Sequence, residues 1–417
     1  MPRPALSPLL DALPAPSPRA VAVRVTSSAE SRLRRGHPWL HAEQIRSCSH
    51  RGAAGDVAVV FDRKRAFLAA GLLEPHARLR VRLLRARRPG PVDARLLDER
   101  IGAAWARRAP LHGSDTDAYR LVHGESDGMP GLVADRYADT LVVKLYGHAW
   151  IPHLRACVTS LLDRHPFARV VLRLSRRLAE RPSLLHRLSD GALLAGTIPP
   201  TPLVYRERGL RFEVDPVRGQ KTGAFLDQRD NRARVEALAA GRRVLDAFCC
   251  AGGFSLFAAR GGARTVTSLD RAAPALAACA RNVALNRHDP AVAAVRHETL
   301  HADAFEALDA LARARRTFDL VVVDPPALAH RRAQVDGALA AYARLARGAL
   351  GVLEPGGRIV LASCSAPVTP DEFARAVTTA ARDAGRPLRG VERTGHALDH
   401  PTDFAPSRYL EALFARA

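Results

Sequence analysis

From residue 21 the chain runs in short apolar stretches punctuated by turn residues: AVAVRVT, then GDVAVVFD, RAFLAAGLL and RLRVRLLR, with GHPW between the first two. Runs of this length bounded by Gly, Pro and Asp suit the strands of a small all-β module over residues 21–88. Residues 1–20 differ, because a proline every few positions removes backbone donors and opposes both helix and ladder, so they read as a disordered leader. At Arg88-Pro89-Gly90-Pro91 the strand pattern breaks and LLDERIGAAWARR takes up a helical period, which places a boundary near residue 88. Residues 89–202 then offer strands at LVVKLYG and RVVLRLS around a helix, WIPHLRACVTSLLDRH, giving a central α+β unit that ends at Pro199, Pro200 and Pro202. In residues 203–417 a hairpin over 203–216, turning at Gly209, precedes a regular alternation. Its strands are VLDAF, TVTSLD, VRHETLHAD, FDLVVVD and RIVLASCS, with Ala-rich helices between them. That alternation specifies an α/β fold with a doubly wound, mostly parallel sheet covered by helices on both faces.

Composition narrows the class. The chain has 417 residues, 47% of them hydrophobic, enough to bury the cores of two or three domains. Its formal charge is +21, and the excess is uneven: residues 1–88 hold 17 Lys/Arg against 6 Asp/Glu. A basic excess concentrated in one small module suits contact with a polyanion, although a solvated basic face has the same composition. The six cysteines (Cys48, Cys157, Cys249, Cys250, Cys279 and Cys364) have neither metal-ligand spacing nor the density of a disulfide scaffold, so a reducing cytoplasm and no metal are expected. No run of 18 apolar residues suggests a membrane span.

In a doubly wound sheet, ligands bind beyond the carboxyl ends of the strands. After the first strand, AFCCAGGF places Gly252 and Gly253 where a helix begins, allowing close approach of a ligand or simply a tight turn. Asp270 ends the second strand, 17 residues beyond Gly253, where an acid can grip both hydroxyls of an adenosine ribose. The turn lacks the G-x-G-x-x-G spacing of a dinucleotide site and follows Asp246, which favours S-adenosylmethionine over NAD. Asp303, after the third strand, is placed to accept from an adenine amino group or to cap a helix. The fourth strand ends in Asp324-Pro325-Pro326, a carboxylate and two rigid residues suited to holding a planar base, and the fifth ends in Ser363-Cys364-Ser365. A free cysteine is usually inert core, and Cys48, Cys157 and Cys279 read so; Cys364 is set apart by its position. Cytosine C5 is not nucleophilic until a thiolate adds at C6. A cysteine beside an acid that can hydrogen-bond N3 therefore supplies the groups for C5 methylation.

With these residues in place, the chain resembles the ribosomal RNA large subunit methyltransferase I family, the 5-methylcytosine enzymes of 23S rRNA. The resemblance runs from about residue 21 to the end of the chain. It rests on RLRRGHPWLHAEQI, GESDGMPGLVADRY, GQKTGAFLDQRDNR, AGGF, NVALN with Asn282 and Asn286, DPP, SCS and the late Asp399-His400-Pro401. It implies that residues 21–88 form a PUA-like β-barrel that meets RNA, that 89–202 link it to the catalytic part, and that 203–417 form a Rossmann-like class I methyltransferase. By the same resemblance Phe248, Gly252, Gly253, Asp270 and Asp303 bind S-adenosylmethionine, Gln228 and Arg229 close its methionine or RNA side, Pro325 and Pro326 meet the base, and Asp324 and Cys364 are catalytic. The expected partner is RNA, either 23S rRNA or a large-subunit precursor, and relatives can dimerise. Cys250 and Ala251 stand where relatives commonly carry an aromatic residue and Thr, and Ala327 where Lys is common; none of these removes a reacting group. Two alternatives stay open: methylation at another RNA position, and an RNA-binding protein whose methyltransferase fold is inactive.

Overall fold

The structure, a computed structural model, describes residues 3–417. It contains two compact units, Met1–Tyr205 with Val214–Ala224, and Arg206–Glu213 with Phe225–Ala417. The first unit carries two sheets. Six strands between Val21 and Ala86 form a mixed sheet, in which Val21–Val25 pairs parallel with Val57–Phe61 and antiparallel with Ile45–Cys48. Strict alternation explains the packing: Val21, Val23 and Val25 are buried while Ala22 and Arg24 face out. A second sheet of five strands includes the expected Thr140–Leu145 and Arg169–Leu174. It also contains Ala118–His123, Leu132–Tyr137 and Leu193–Gly196, which the sequence pattern does not announce.

Residues 3–20 depart from the expected disorder, and residues 1 and 2 of that leader lie outside the described residues. Leu6 bridges Ala195, Ser7 N donates to the Leu194 carbonyl at 2.8 Å, and Ser7 caps a short helix, Pro8–Asp11. Leu10 is 2% exposed within the core of the first unit. The prolines do keep the segment from forming long regular elements, but Leu6, Leu9, Leu10 and Leu13 lie between them, and apolar burial against an existing sheet outweighs the cost of ordering the backbone.

The hairpin Leu203–Glu207 and Leu210–Val214 turns through Arg208 and Gly209 at φ +48° and +83°, the doubly left-handed turn that follows the natural twist of paired strands. The second unit holds a seven-stranded sheet: β1 (Arg243–Ala247), β2 (Thr265–Asp270), β3 (Arg296–His301), β4 (Phe318–Val323), β5 (Leu353–Ser363), β6 (Arg389–Thr394) and β7 (Glu411–Arg416). The spatial order is β3-β2-β1-β4-β5-β7-β6. The first five strands are parallel, and β7 runs antiparallel to both β5 and β6. Central β4 is buried at five of its six positions, as a strand covered on both faces must be. The chain order reverses between β1 and β4, so a crevice at the carboxyl ends of these strands is the expected ligand position. No described helix is long and apolar enough to cross a membrane.

Candidate active site

The cofactor side is built on the turn after β1. Phe248, Cys250 and Gly252 take φ of +64°, +49° and +80°, a sequence of left-handed residues that folds the chain back before the helix Gly253–Arg260. A Cβ on Gly252 would lie 2.3 Å from the Cys279 sulfur, so the position demands glycine for its backbone and for its neighbour. Asn282 fixes the turn by donating to the Ala251 carbonyl at 2.8 Å and accepting from Glu213 N at 2.8 Å. Asn286 exchanges two further bonds with the Arg211 backbone. Both asparagines are fully buried, and their role is to tie the hairpin and the turn to one helix.

At the end of β2, Asp270 accepts from Cys250 N at 3.0 Å through Oδ2 and from Ala272 N at 2.9 Å through Oδ1. A carboxylate has about four acceptor sites, so two bonds leave capacity for a pair of hydroxyls. Asp303 caps the helix Ala304–Arg313, with Oδ1 accepting from Phe305 N at 2.9 Å. The capping role left open by the sequence is therefore present, and Oδ2 lies outside that bond. Asp246, at the same end of β1, is fully buried: Oδ2 accepts from Ser255 N and Oγ at 2.9 and 2.6 Å, while Oδ1 has no partner among the protein atoms. An orphaned buried oxygen beside a glycine turn and a ribose-type carboxylate is a donor and acceptor set that fits an adenosyl cofactor.

Burial pushes the Asp246 carboxyl up to about 8 from an ordinary 3.8. A folded value raised above the unfolded one means that the native state holds a proton the unfolded chain has released, so stability falls as pH rises from about 4 toward 8. Asp246→Asn cannot titrate. In cofactor-free urea unfolding, the wild type is expected to lose about 1.4 kcal/mol relative to this variant between about pH 6 and pH 7. Parallel stability curves for the two proteins would show that the carboxyl is ionised throughout.

On the opposite side of the crevice, β4 and β5 are adjacent and deliver Asp324 and Cys364 to the same edge. The Cys364 sulfur lies 3.6 Å from the carbonyl oxygen of Pro325, the residue next to Asp324. The flanking serines fasten this arrangement. Ser365 Oγ accepts from Leu328 N at 2.8 Å and Ala329 N at 3.2 Å, and it meets the Tyr342 hydroxyl at 2.8 Å; Ser363 Oγ donates to that same hydroxyl at 2.9 Å. Pro325 is buried, Pro326 is exposed, and Cys364 is half-buried. Cys157, by contrast, is fully buried and its thiol is pushed up to about 12 by desolvation, the inert state expected of a core cysteine.

Gln228 reaches this side and not the glycine turn. Its Nε2 donates to Asp324 Oδ1 at 3.0 Å, and its Oε1 accepts from Asn231 Nδ2 at 2.6 Å; Asn231 Oδ1 in turn accepts from Thr394 Oγ1 at 2.6 Å. Asn231, Thr394 and Tyr342 therefore support the site; Asn231 falls within the GQKTGAFLDQRDNR string, whereas no sequence signal marks Thr394 or Tyr342. Arg229 corrects another expectation. It is 2% exposed, and its Nη2 donates to Asp399 Oδ1 at 2.7 Å, so its charge is taken up inside the protein and does not close over a ligand. Burial pushes the Asp399 carboxyl up, but His400 and Arg229 together outweigh it and hold the group well below the usual carboxylate range. The late Asp399-His400-Pro401 string thus contributes an internal ion pair.

Comparison with known proteins agrees with this geometry. The profile of the S-adenosylmethionine-dependent methyltransferase family matches residues 120–416, and that of a PUA-like domain matches residues 23–86. A ribosomal RNA large subunit methyltransferase of Deinococcus radiodurans is 50% identical over 406 residues, covering 96% of this chain and 98% of the relative. A ribosomal RNA large subunit methyltransferase I of Shewanella denitrificans is 34% identical over 407 residues, covering 95% and 99%. Among solved structures, a methyltransferase complexed with S-adenosylhomocysteine superposes with a TM-score of 0.79 at 22% identity, over 95% of this chain and 100% of the other, a likeness of fold. The glycine turn, the carboxylates at the strand ends and these matches agree: the chain is an S-adenosylmethionine-dependent methyltransferase with a PUA-like amino-terminal domain and belongs to the ribosomal RNA large subunit methyltransferase I family.

Proposed function

We propose that the protein methylates C5 of a cytosine in large-subunit ribosomal RNA, 23S rRNA or its precursor, through a covalent bond between Cys364 and C6 of the base. The observation that carries this reading is the Cys364 sulfur at 3.6 Å from the Pro325 carbonyl, on the strand next to the one that presents Asp324. The ribosomal RNA substrate is what the names of its relatives state of them, and the PUA-like domain supports the same class of ligand.

Phe248, Gly252, Gly253, Asp270 and Asp303 would hold the adenosyl end of S-adenosylmethionine, which when bound supplies an electrophilic methyl group. The protein's own residues prepare the acceptor. The target nucleotide must leave its stack to reach an edge formed by strand ends. Asp324, aligned by Gln228 and carrying a proton, donates to N3 of the ring, while Pro325 and Pro326 keep the backbone extended against the base. The Cys364 thiolate forms a bond to C6, and the electron pair displaced from the C5–C6 double bond makes C5 nucleophilic. After C5 is methylated, transfer of its proton to a general base restores the C5–C6 double bond and expels the thiolate. Asp324 would give its proton to N3 as negative charge builds in the ring, and Cys364 would supply the electron pair.

The test is mass mapping of ribosomal RNA from cells with and without the gene. One 5-methylcytosine in large-subunit RNA should vanish on deletion and return on complementation. A lost mark on a purine or on an exocyclic nitrogen would remove any need for the thiolate and overturn the cytosine reading.

A further inference from the structure

A second basic feature lies in the methyltransferase unit, at the end of the sheet opposite the reacting edge. Arg358 on β5 pairs directly across to Arg416 on β7, and Arg416 pairs in turn with Arg389 on β6. Residues directly opposite on antiparallel strands share a face, so three guanidinium groups stand in a row, an arrangement that like-charge repulsion disfavours unless something neutralises it. Together with Arg234 and Arg386 they line a cleft of about 960 Å³ in which, among the described residues, five arginines face the Glu392 side chain and the carboxylate of Ala417. Glu392 is paired within the cleft, accepting from Arg234 at 2.9 Å, and Arg386 donates to the Glu354 carbonyl and to a carboxylate oxygen of Ala417 at 2.9 and 3.2 Å. Among the described residues, none of the three arginines in the row makes an ion pair. Burial, with the nearby charges of Arg416 and Arg242, holds the Arg358 guanidinium below its ordinary pKa against the opposing attraction of Glu392.

We propose that this cleft binds the phosphodiester backbone of the RNA substrate at a site separate from the catalytic edge. Cys364 lies six positions beyond Arg358 along β5 and its end, roughly 20 Å at strand rise. Planar guanidinium forks suit phosphate oxygens, and a row of three spans successive phosphates better than it suits one small anion. The proposal rests on the RNA reading above, since phosphate contacts anchor a polynucleotide without selecting its sequence.

The experiment uses the full chain with Arg358→Gln, Arg389→Gln and Arg416→Gln combined, and a large-subunit RNA fragment titrated over a series of salt concentrations. Each phosphate contact contributes about 0.7–0.9 to the slope of log affinity against log salt, so the triple variant should show a slope shallower by roughly two to three. Affinity should fall at least tenfold at low salt, KM for RNA should rise, and kcat at saturating RNA and affinity for S-adenosylmethionine should stay as in the wild type. Arg416→Gln alone should raise Tm by relieving the repulsion, and it serves as a one-contact test if the triple variant does not fold. An unchanged slope and affinity, with a wild type that methylates RNA, would overturn the cleft and leave the enzyme reading standing. A wild type that neither binds nor methylates RNA would overturn both. Unchanged binding to naked RNA with lost binding to ribosomal particles would assign the cleft to an acidic protein, and would equally overturn the proposal.

Discussion

Cys364→Ala is expected to lower methyl transfer by about 10³-fold or more while S-adenosylmethionine binds as tightly as before, measured by single-turnover transfer and calorimetric titration. The size of the loss follows from the chemistry: without an electron pair added at C6, C5 has no nucleophilic character, and no other group can substitute by position alone. Cys364 is half-buried and its sulfur makes a weak hydrogen bond to the Pro325 carbonyl, so the alanine variant should fold. Retained affinity for the cofactor separates this outcome from a misfolded protein. RNA carrying 5-fluorocytosine gives the converse test, because fluorine blocks the proton loss that frees the enzyme. A stable protein–RNA adduct should form with the wild type and not with Cys364→Ala. Full activity of the alanine variant on cytosine would eliminate covalent catalysis and move the reading to transfer onto nitrogen.

The parts of this site that were legible in the sequence are those fixed by local pattern. β1 to β5 are short apolar segments separated by Ala-rich helical stretches, and in a doubly wound sheet the residue after each strand is positioned by the strand itself. That is why the sequence pattern alone assigns Asp270, Asp303, Asp324 and Cys364 to one edge. What stayed hidden depends on partners distant in the chain. β6, RGVERT, is polar and almost wholly exposed as an edge strand, so no alternation betrays it, and β7 shows only six residues. The leader misleads in the other direction, because proline content describes the backbone but not the leucines that a neighbouring sheet can bury. Gln228 and Arg229 are consecutive in one motif, yet one aligns a carboxylate in the crevice and the other neutralises an internal acid. Spacing alone cannot divide such neighbours, since the direction of each side chain is set by the helix start at Arg229 and by β6 and the segment after it.

That division supports the second large effect. Asp399→Ala should destabilise the methyltransferase unit by about 3–5 kcal/mol, read from the denaturant midpoint at neutral pH. The Arg229 and Asp399 side chains are 2% and 0% exposed, so deleting the carboxylate leaves a guanidinium with no water and little counter-charge. Asp230, at 3.6 Å, is partly exposed, which lets solvent screen much of its attraction, and Glu207, the next acid acting on it, is held by Arg232. Nη1 of Arg229 already lacks a partner, so the loss at Nη2 would leave a second buried donor unsatisfied. The sign with pH follows from the lowered folded value of Asp399. Its contribution is complete above the ordinary carboxylate pKa near 3.8 and is lost as acid protonates the folded group, so the gap between wild type and variant should narrow at low pH. Asp399→Asn keeps an acceptor without the charge and should fall between the two. The double variant Arg229→Met with Asp399→Leu removes both charges and should recover much of the stability, because the attraction of a buried pair roughly offsets its desolvation. Activity supplies a readout that stability does not. Arg229 follows Gln228 directly, so at a temperature where Asp399→Asn remains folded, a shift of that helix start should lower kcat through misalignment of Asp324, with the KM for S-adenosylmethionine unchanged. A variant that lost stability but kept kcat would show that the ion pair supports the fold without positioning the carboxylate.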